Sequence, residues 1–579
     1  MSAMRFVPTE EQARIIAHEG AAFVAACPGS GKTRVLVERA RKLLADHSSG
    51  QGIVFLSFTT AAVSELEKRL RREGLLKVPA FPHFIGTFDA FLWQFLIAPF
   101  GVPGCTERPR LIPDKDQCVI RPYPKAQELP LECFDRARGC AIPDALKRHG
   151  FARDAKPYET AARSARARFL ERGELDFADA RELALTRLRD PASSPALSRA
   201  LAARFQELIV DEAQDCNPTD LEIIDWFRSA RIPVKIICDP HQSIYGFRGG
   251  VTDELLAYGQ SYAPSERLPI TGNFRSSRHI AKTIVALRAP SERSSVDDAL
   301  GEHRDELTPV YLLSYPGRGV PASVGLKFHE LTETVGLDAS TCPVIAATRL
   351  SCANALGHPI ANDAREDMSY RLAAAVSNYH FSLELGGRKE ALEAVHKIVL
   401  ELEGNITGKT YHQYLREAEI EPRAWRPRIM QLVDALRFDS ARFLSADAWH
   451  DHARSMLAPL LPPGGKSINQ RLQRNPDLAK ALAIAPTCGH CACTIHSVKG
   501  MEFPAVCVVM SPQTAKRILD FLSGDSPSAH AEDARKIYVG ASRAQRLLAI
   551  AVPQSQTSRL MNLLQTTGAA ISVVALSPQ

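Results

Sequence analysis

A chain of 579 residues is too long for one hydrophobic core and implies about three or four units of ~150 residues each. Its 45% hydrophobic and 23% charged residues are ordinary for a water-soluble globular protein, and no apolar run approaches the ~20 residues of a spanning helix, which excludes a membrane role. The net charge of +6 permits an anionic polymer as partner without demanding one.

Thirteen cysteines, an odd number, fit reduced thiols better than a disulfide frame. The start, MSAMRFVPTEEQ, has no apolar signal core, so a cytoplasmic location is expected. Over residues 1–95 helical and strand patterns alternate. EQARIIAHEG has helical spacing, AAFVAAC is a short apolar strand and TRVLVERARKLLADH an amphipathic helix. GIVFLSF, the helix AAVSELEKRLRREG and HFIGTF continue the series. Alternation of this kind implies a parallel sheet covered on both faces.

Residues 96–171 turn proline-rich, then alanine- and arginine-rich, and read as an insertion. The strand–helix pattern returns over 172–265 with ELIVDEAQD and VKIICDPHQS. A second set of strands, VYLLSY, CPVIAATR, ACTIHSV, PAVCVVM and LLAIAV, occupies 266–375 and 478–579. Between its two parts, 376–477 is mostly helical. The expected fold class is α/β, with two parallel-sheet domains that each carry a helical insertion.

ACPGSGKT fits the phosphate-loop pattern, with Ala26 in the first small-residue position. Gly29 and Gly31 allow backbone N–H groups, with Ser30 between them, to approach phosphate oxygens at a helix N-terminus. Lys32 would reach the β- and γ-phosphates and the Thr33 hydroxyl would ligate Mg²⁺. ELIVDEAQD places Asp211 and Glu212 at the end of a buried strand, the first for the metal shell, the second for the attacking water. Together these motifs imply a nucleoside triphosphatase. Gln12 carries an amide able to read adenine, and Gln242 is placed as a γ-phosphate sensor. Tyr245, Phe247 and Arg248 crowd one short loop, rings for stacking bases beside a cation for phosphate. Arg275 and Arg543 would act as arginine fingers if the second domain closed over the first.

The order of these segments resembles superfamily 1A DNA helicases of the UvrD/Rep/PcrA family, from Gln12 through GKTR, SFTTAAV, GTFDAF, DEAQD, DPHQSIYGFRGG, NFRSS, HSVKGMEF and YVGASRA. The resemblance implies two RecA-like domains, 1A (1–95 and 172–265) and 2A (266–375 and 478–579), with insertions 1B (96–171) and 2B (376–477). It implies ATP and Mg²⁺ as cofactors, single-stranded or tailed duplex DNA as partner, and 3′→5′ translocation. By the same resemblance Phe274 stacks on adenine, Arg34, Arg275 and Arg543 contact the triphosphate, and Glu502 lies near the ribose. Phe58, Thr59, Thr87, Tyr245, Phe247, Arg248 and His496 fall at or beside single-strand contacts.

Three departures lie on the DNA track: SFTTAAV for the usual TFTNKAA, Phe247 for a tryptophan, and Asp89, an anion, where an imidazole is usual. The trimmed insertions resemble the helicase component of Gabija-type anti-phage systems, which works beside a separate nuclease/ATPase protein; no room for a fused nuclease is expected. Repair and defence both remain open. The C-x₂-C spacing of Cys488 and Cys491, with His490 and Cys493, suits a metal, but a core-facing strand is the stronger reading. Cys105, Cys118, Cys133 and Cys140 match no standard ligand spacing.

Overall fold

The computed structural model describes residues 6–45, 50–76, 80–244, 252–293, 297–357, 367–381, 385–406, 410–439, 441–482, 490, 492–525 and 530–577. The chain divides into two units. The first holds residues 1–96, 181–359 and 488–579, and the second 97–180 and 360–487.

The first unit contains two six-stranded sheets. Strands β1 (Ala22–Ala26), β2 (Gly52–Ser57), β3 (Phe84–Thr87), β4 (Phe205–Val210), β5 (Val234–Cys238) and β6 (Arg267–Ile270) are ordered β6-β1-β5-β4-β2-β3. Every neighbour pair is parallel. β2 and β5 are buried at every residue, as strands covered on both faces must be. The second sheet is built from β7 (Val310–Tyr315), β8 (Val344–Ala346), β9 (Ala492–Thr494), β10 (Phe503–Val509), β11 (Ala544–Pro553) and β12 (Ile571–Ala575). Its order is β9-β8-β10-β11-β7-β12, again all parallel. The α/β class with two parallel sheets is as the sequence predicts.

The boundaries differ. β6 pairs with β1, Ala25 opposite Pro269, so the first sheet runs past the expected limit at residue 265. Its RLPI sequence carries a proline, which a strand tolerates at a sheet edge, and β6 is an edge. β12 is the matching edge of the second sheet and is only partly buried, so its pattern is weak. ACTIHSV gives three strand residues and then a 3₁₀ turn, Ile495–Val498.

The second unit joins both insertions, which the sequence presents as separate. Glu174–Leu175 pairs with Arg110–Leu111, drawing the first insertion out to residue 180. The second insertion packs helices Met368–Phe381, Leu385–Glu403, Pro422–Ala435 and Ala446–Leu457 around Trp449, which is fully buried and donates to the Leu436 carbonyl at 2.7 Å. Arg416 of the second insertion meets the buried Glu174 of the first at 2.8 Å, and His412 meets Asp114 at 3.1 Å.

At the start of β4 and β5 the first sheet buries a charge trio. Glu207 accepts from Arg39 Nε at 3.0 Å and from Lys235 Nζ at 3.1 Å, and Lys235 also donates to the Gly20 carbonyl at 2.8 Å. All three are nearly inaccessible.

Candidate active site

In a parallel sheet the strand C-termini point one way, and the loops that follow collect there. β1 delivers Cys27–Gly31, β4 delivers Asp211 and Glu212, and β5 delivers Asp239 to Gln242. β2 and β3 end beside Phe58 and at Thr87. The second sheet meets this edge with strand beginnings: Glu502 directly precedes β10, and Arg543 directly precedes β11, with the Phe503 N–H donating to the Arg543 carbonyl at 2.9 Å.

Gly29 and Gly31 take φ of +69° and +74°, which L side chains rarely adopt. Gly29 is also closed by contact. A Cβ there would lie 2.5 Å from Arg275 Cβ and 2.8 Å from Asn273 Oδ1, and the Gly29 carbonyl accepts from the Phe274 N–H at 2.8 Å. The helix Lys32–Ala45 starts at once. Ser30 Oγ and Asn273 Nδ2 are buried here with no protein partner, which fits a polar ligand in the loop.

Asp211 and Glu212 lie side by side, both half-buried. Burial first, and then the Glu212 charge, push the Asp211 carboxyl well above the usual carboxylate range. Burial opposes ionisation of Glu212 too, but Lys32, Lys499 and a hydrogen bond from Gln214 outweigh it and hold Glu212 below its ordinary value. Glu212 takes a left-handed backbone, φ +54°. A half-buried acid pair close enough to feel the Lys32 charge, with Thr33 next to Lys32 in sequence, has the donor set of a site for Mg²⁺ and a triphosphate, and the residues fit that group.

Arg543 is fully buried. It donates to Gln242 Oε1 at 2.8 Å, to Ser542 Oγ at 2.9 Å and to the Val539 carbonyl at 3.1 Å. Burial and then the neighbouring Arg275 lower it to about 10, so it stays a cation at neutral pH. Arg275 donates to the Ser542 carbonyl at 2.8 Å and to Glu502 at 2.5 Å. Arg275 does not wait on domain closure. It follows β6, an edge of the first sheet, and already packs on Gly29. Glu502 is committed to Arg275 in this arrangement.

The residues expected to bind the base and triphosphate have their own protein partners. Gln12 is buried with both ends of its amide engaged: Nε2 donates to the Ser30 carbonyl at 2.9 Å, and Oε1 accepts from the Thr9 N–H at 3.1 Å in a capping box. Arg34 pairs with Glu73 at 2.8 Å and Glu38 at 3.1 Å, and stands over the Phe6 ring at 5.0 Å, away from the acid pair's partners. Phe274 is 36% exposed and open to stacking.

Along the strand ends Phe58 stacks on Phe88 at 5.5 Å. Thr59 and Thr87 cap their helices, accepting from Ala62 and Ala90 N–H at 3.2 Å. His496 contacts the Ile244 carbonyl at 3.3 Å, and burial lowers its pKa. Tyr245, Phe247 and Arg248 lie outside the described residues. Asp89 meets Arg181 at 2.7 Å, and Arg181 meets the buried Asp220 at 2.7 Å, so the unexpected anion has a counter-ion. Arg181→Ala should cost about 2 kcal/mol in a urea melt because it strands Asp220, whereas Asp89→Ala, at a partly exposed pair, should cost under about 1 kcal/mol.

Cys493 lies on β9 and its carbonyl accepts from Cys352 Sγ at 2.9 Å, while Cys488 and Cys491 lie outside the described residues. Cys118 and Cys133 pack into the core of the first insertion. Among the described residues no group of three metal-ligating side chains is present.

Four site residues escape the sequence reading. Lys499 binds Asp215 through both carboxylate oxygens at 2.6 and 2.8 Å, joining the two sheets. Gln214, Asp239 and Tyr538 form a buried chain with Glu212 and Gln242. All four sit inside the motif strings, on a helix, at 3₁₀ turns or after a strand, and each also has a partner distant in sequence.

Two family descriptions match the chain. The UvrD/REP helicase N-terminal domain fits residues 8–263, and the UvrD-like helicase C-terminal domain fits residues 492–555. DNA helicase II of Haemophilus influenzae is 25% identical over 338 residues, 56% of this chain and 44% of that protein. ATP-dependent DNA helicase PcrA of Staphylococcus aureus is 26% identical over 284 residues, 47% of this chain and 38% of that protein. The chain thus spans less than half the length of these relatives.

Proposed function

We propose, for a chain that belongs to the UvrD/Rep helicase family, an ATP-driven motor on single-stranded DNA that moves 3′→5′ and separates duplexes with a 3′ tail. The observation that carries this reading is the meeting of the two sheets: a phosphate loop and acid pair on the first, with Arg543 of the second already on Gln242. Mg²⁺, held through Thr33 and Asp211, would offset charge on the transferred phosphate. Lys32 would bind the phosphates, Glu212 would orient the water and take its proton, and Gln242 with Arg543 and Arg275 would face the charge that develops. Phe274 would stack on the base. Gln12 would read it with the N–H and the oxygen lone pair that Ser30 and Thr9 leave unused, and Arg34 would reach toward the nucleotide from its place on Glu38 and Glu73.

Single-stranded nucleic acid would run over Phe58, Thr59, Thr87 and His496. The phosphate track alone does not tell DNA from RNA, so the DNA assignment rests on the family. No helix among the described residues is long and apolar enough to cross a membrane. The enzyme would serve repair or anti-phage defence in the cytoplasm.

The test is ATP hydrolysis with and without single-stranded DNA or RNA, and strand displacement on 3′- and 5′-tailed duplexes. DNA-stimulated hydrolysis with displacement of the 3′-tailed substrate is expected. Equal stimulation by RNA would overturn the DNA assignment, and displacement from 5′ tails the polarity. A second reading, a DNA-sensing ATPase beside a separate nuclease/ATPase partner, is favoured by Asp89 on the DNA track. Stimulated hydrolysis without displacement, and co-purification with a neighbouring gene product, would support it.

A further inference from the structure

Asp239 is fully buried at the end of β5, between the two sheets. Its backbone N–H donates to Gln214 Oε1 at 3.1 Å, and Gln214 Nε2 donates in turn to Glu212. Its carboxylate accepts from Gln242 Nε2 at 2.9 Å, from the His241 N–H at 3.1 Å and from the Tyr538 hydroxyl at 3.2 Å. Tyr538 belongs to the helix Ala531–Ala541 of the second sheet's half and is itself fully buried.

The chemistry of these groups fixes their orientation. A carboxylate only accepts and a guanidinium only donates. Gln242 lies between the two, so its N–H₂ must face Asp239 and its oxygen must face Arg543, as found at 2.9 and 2.8 Å. A flipped amide would set two donors together and two acceptors together. The orientation of Gln242 therefore depends on Asp239 being present and held in place. The Tyr538 hydroxyl is the donor that the second half of the motor supplies for this. Arg288 stands 5.9 Å from the Tyr538 ring centroid and is itself paired with the buried Asp297.

We infer that Asp239 is the positioning residue to which the hydrolytic groups of both halves are tied, and that the Tyr538 hydroxyl is the second half's hold on it. Glu212 is reached through the backbone of Asp239, Gln242 through its carboxylate, and Arg543 through Gln242. The inference rests on the ATPase reading above. It makes the water-orienting base and the arginine respond to one buried side chain.

The test uses the full chain with saturating single-stranded DNA and compares Tyr538→Phe, Gln242→Ala, the double variant and Lys32→Ala. Tyr538→Phe keeps the ring and removes one donor. It should lower kcat about tenfold, the scale of one lost buried hydrogen bond, with the KM for ATP within about twofold. In the Gln242→Ala background the same substitution should cause a clearly smaller loss, because the branch through Gln242 to Arg543 is already gone and only the one through Gln214 to Glu212 is left. An unchanged kcat for Tyr538→Phe, or losses that multiply in the double variant, would overturn the inference. Should Tyr538→Phe melt below the assay temperature, Asp239→Asn is read by the same two criteria. Wild-type turnover by Lys32→Ala would instead sink the ATPase reading and this inference with it.

Discussion

Glu212→Gln should bind ATP at least as tightly as the wild type and turn it over about 10³-fold more slowly, the scale of a lost general base. The substitution is nearly isosteric, and its amide oxygen can still accept from Gln214, so the left-handed backbone at 212 and the chain to Asp239 survive. It removes a negative charge beside Asp211, which should strengthen rather than weaken nucleotide binding. Steady-state hydrolysis and titration with a fluorescent ATP analogue separate the two effects. A variant that keeps a third of the wild-type rate would take the base role away from Glu212.

Glu207→Ala should cost about 4 kcal/mol of stability although it lies at the opposite end of the strands from the phosphate loop. Its carboxylate is the shared partner of Arg39 and Lys235, and its loss strands two buried cations. The deficit should shrink with pH. Burial, opposed by Glu207, lowers Lys235 to about 8 from 10.5. The unfolded chain therefore binds this proton more firmly between those values, and stability rises with pH across that window. Without Glu207 the folded value falls further, the window opens below pH 8, and part of the loss is recovered as Lys235 becomes neutral. Denaturant melts at pH 7 and pH 9 would show this, and an equal deficit at both would refute it.

What the sequence discloses follows the kind of signal it carries. Buried parallel strands such as GIVFLS and VKIIC announce themselves as unbroken apolar runs, and the phosphate loop by its glycines. The edge strand Arg267–Ile270 holds a proline and an exposed position, so its pattern reads as loop. A junction at 265 therefore falls short of the first sheet's last strand. The union of the two insertions rests on pairs such as Glu174 with Arg416, 242 residues apart, which no local pattern encodes. At the site, residue types that name their own chemistry were legible: Lys32, Asp211, Glu212, Gln242 and Arg543 converge. Gln214, Asp239 and Tyr538 were not, because their value lies in whom they touch. Arg34 illustrates the converse. Its place beside Thr33 suggests the nucleotide, while its guanidinium lies on two helix-surface acids.

The edge strand Arg267–Ile270 also decides how the part of the chain that builds the first sheet could be handled in isolation. A fragment cut at residue 265 would leave the buried Ala22–Ala26 strand with a bare row of backbone donors and acceptors, apolar and flat. Such an edge is a template for pairing with another chain, so that fragment would be prone to fibrous or amorphous association. Carrying the chain past Arg275 covers the edge and keeps the turn that rests on Gly29. The same four residues thus serve as solubility guard for one sheet and as the lead-in to an arginine at the phosphate loop.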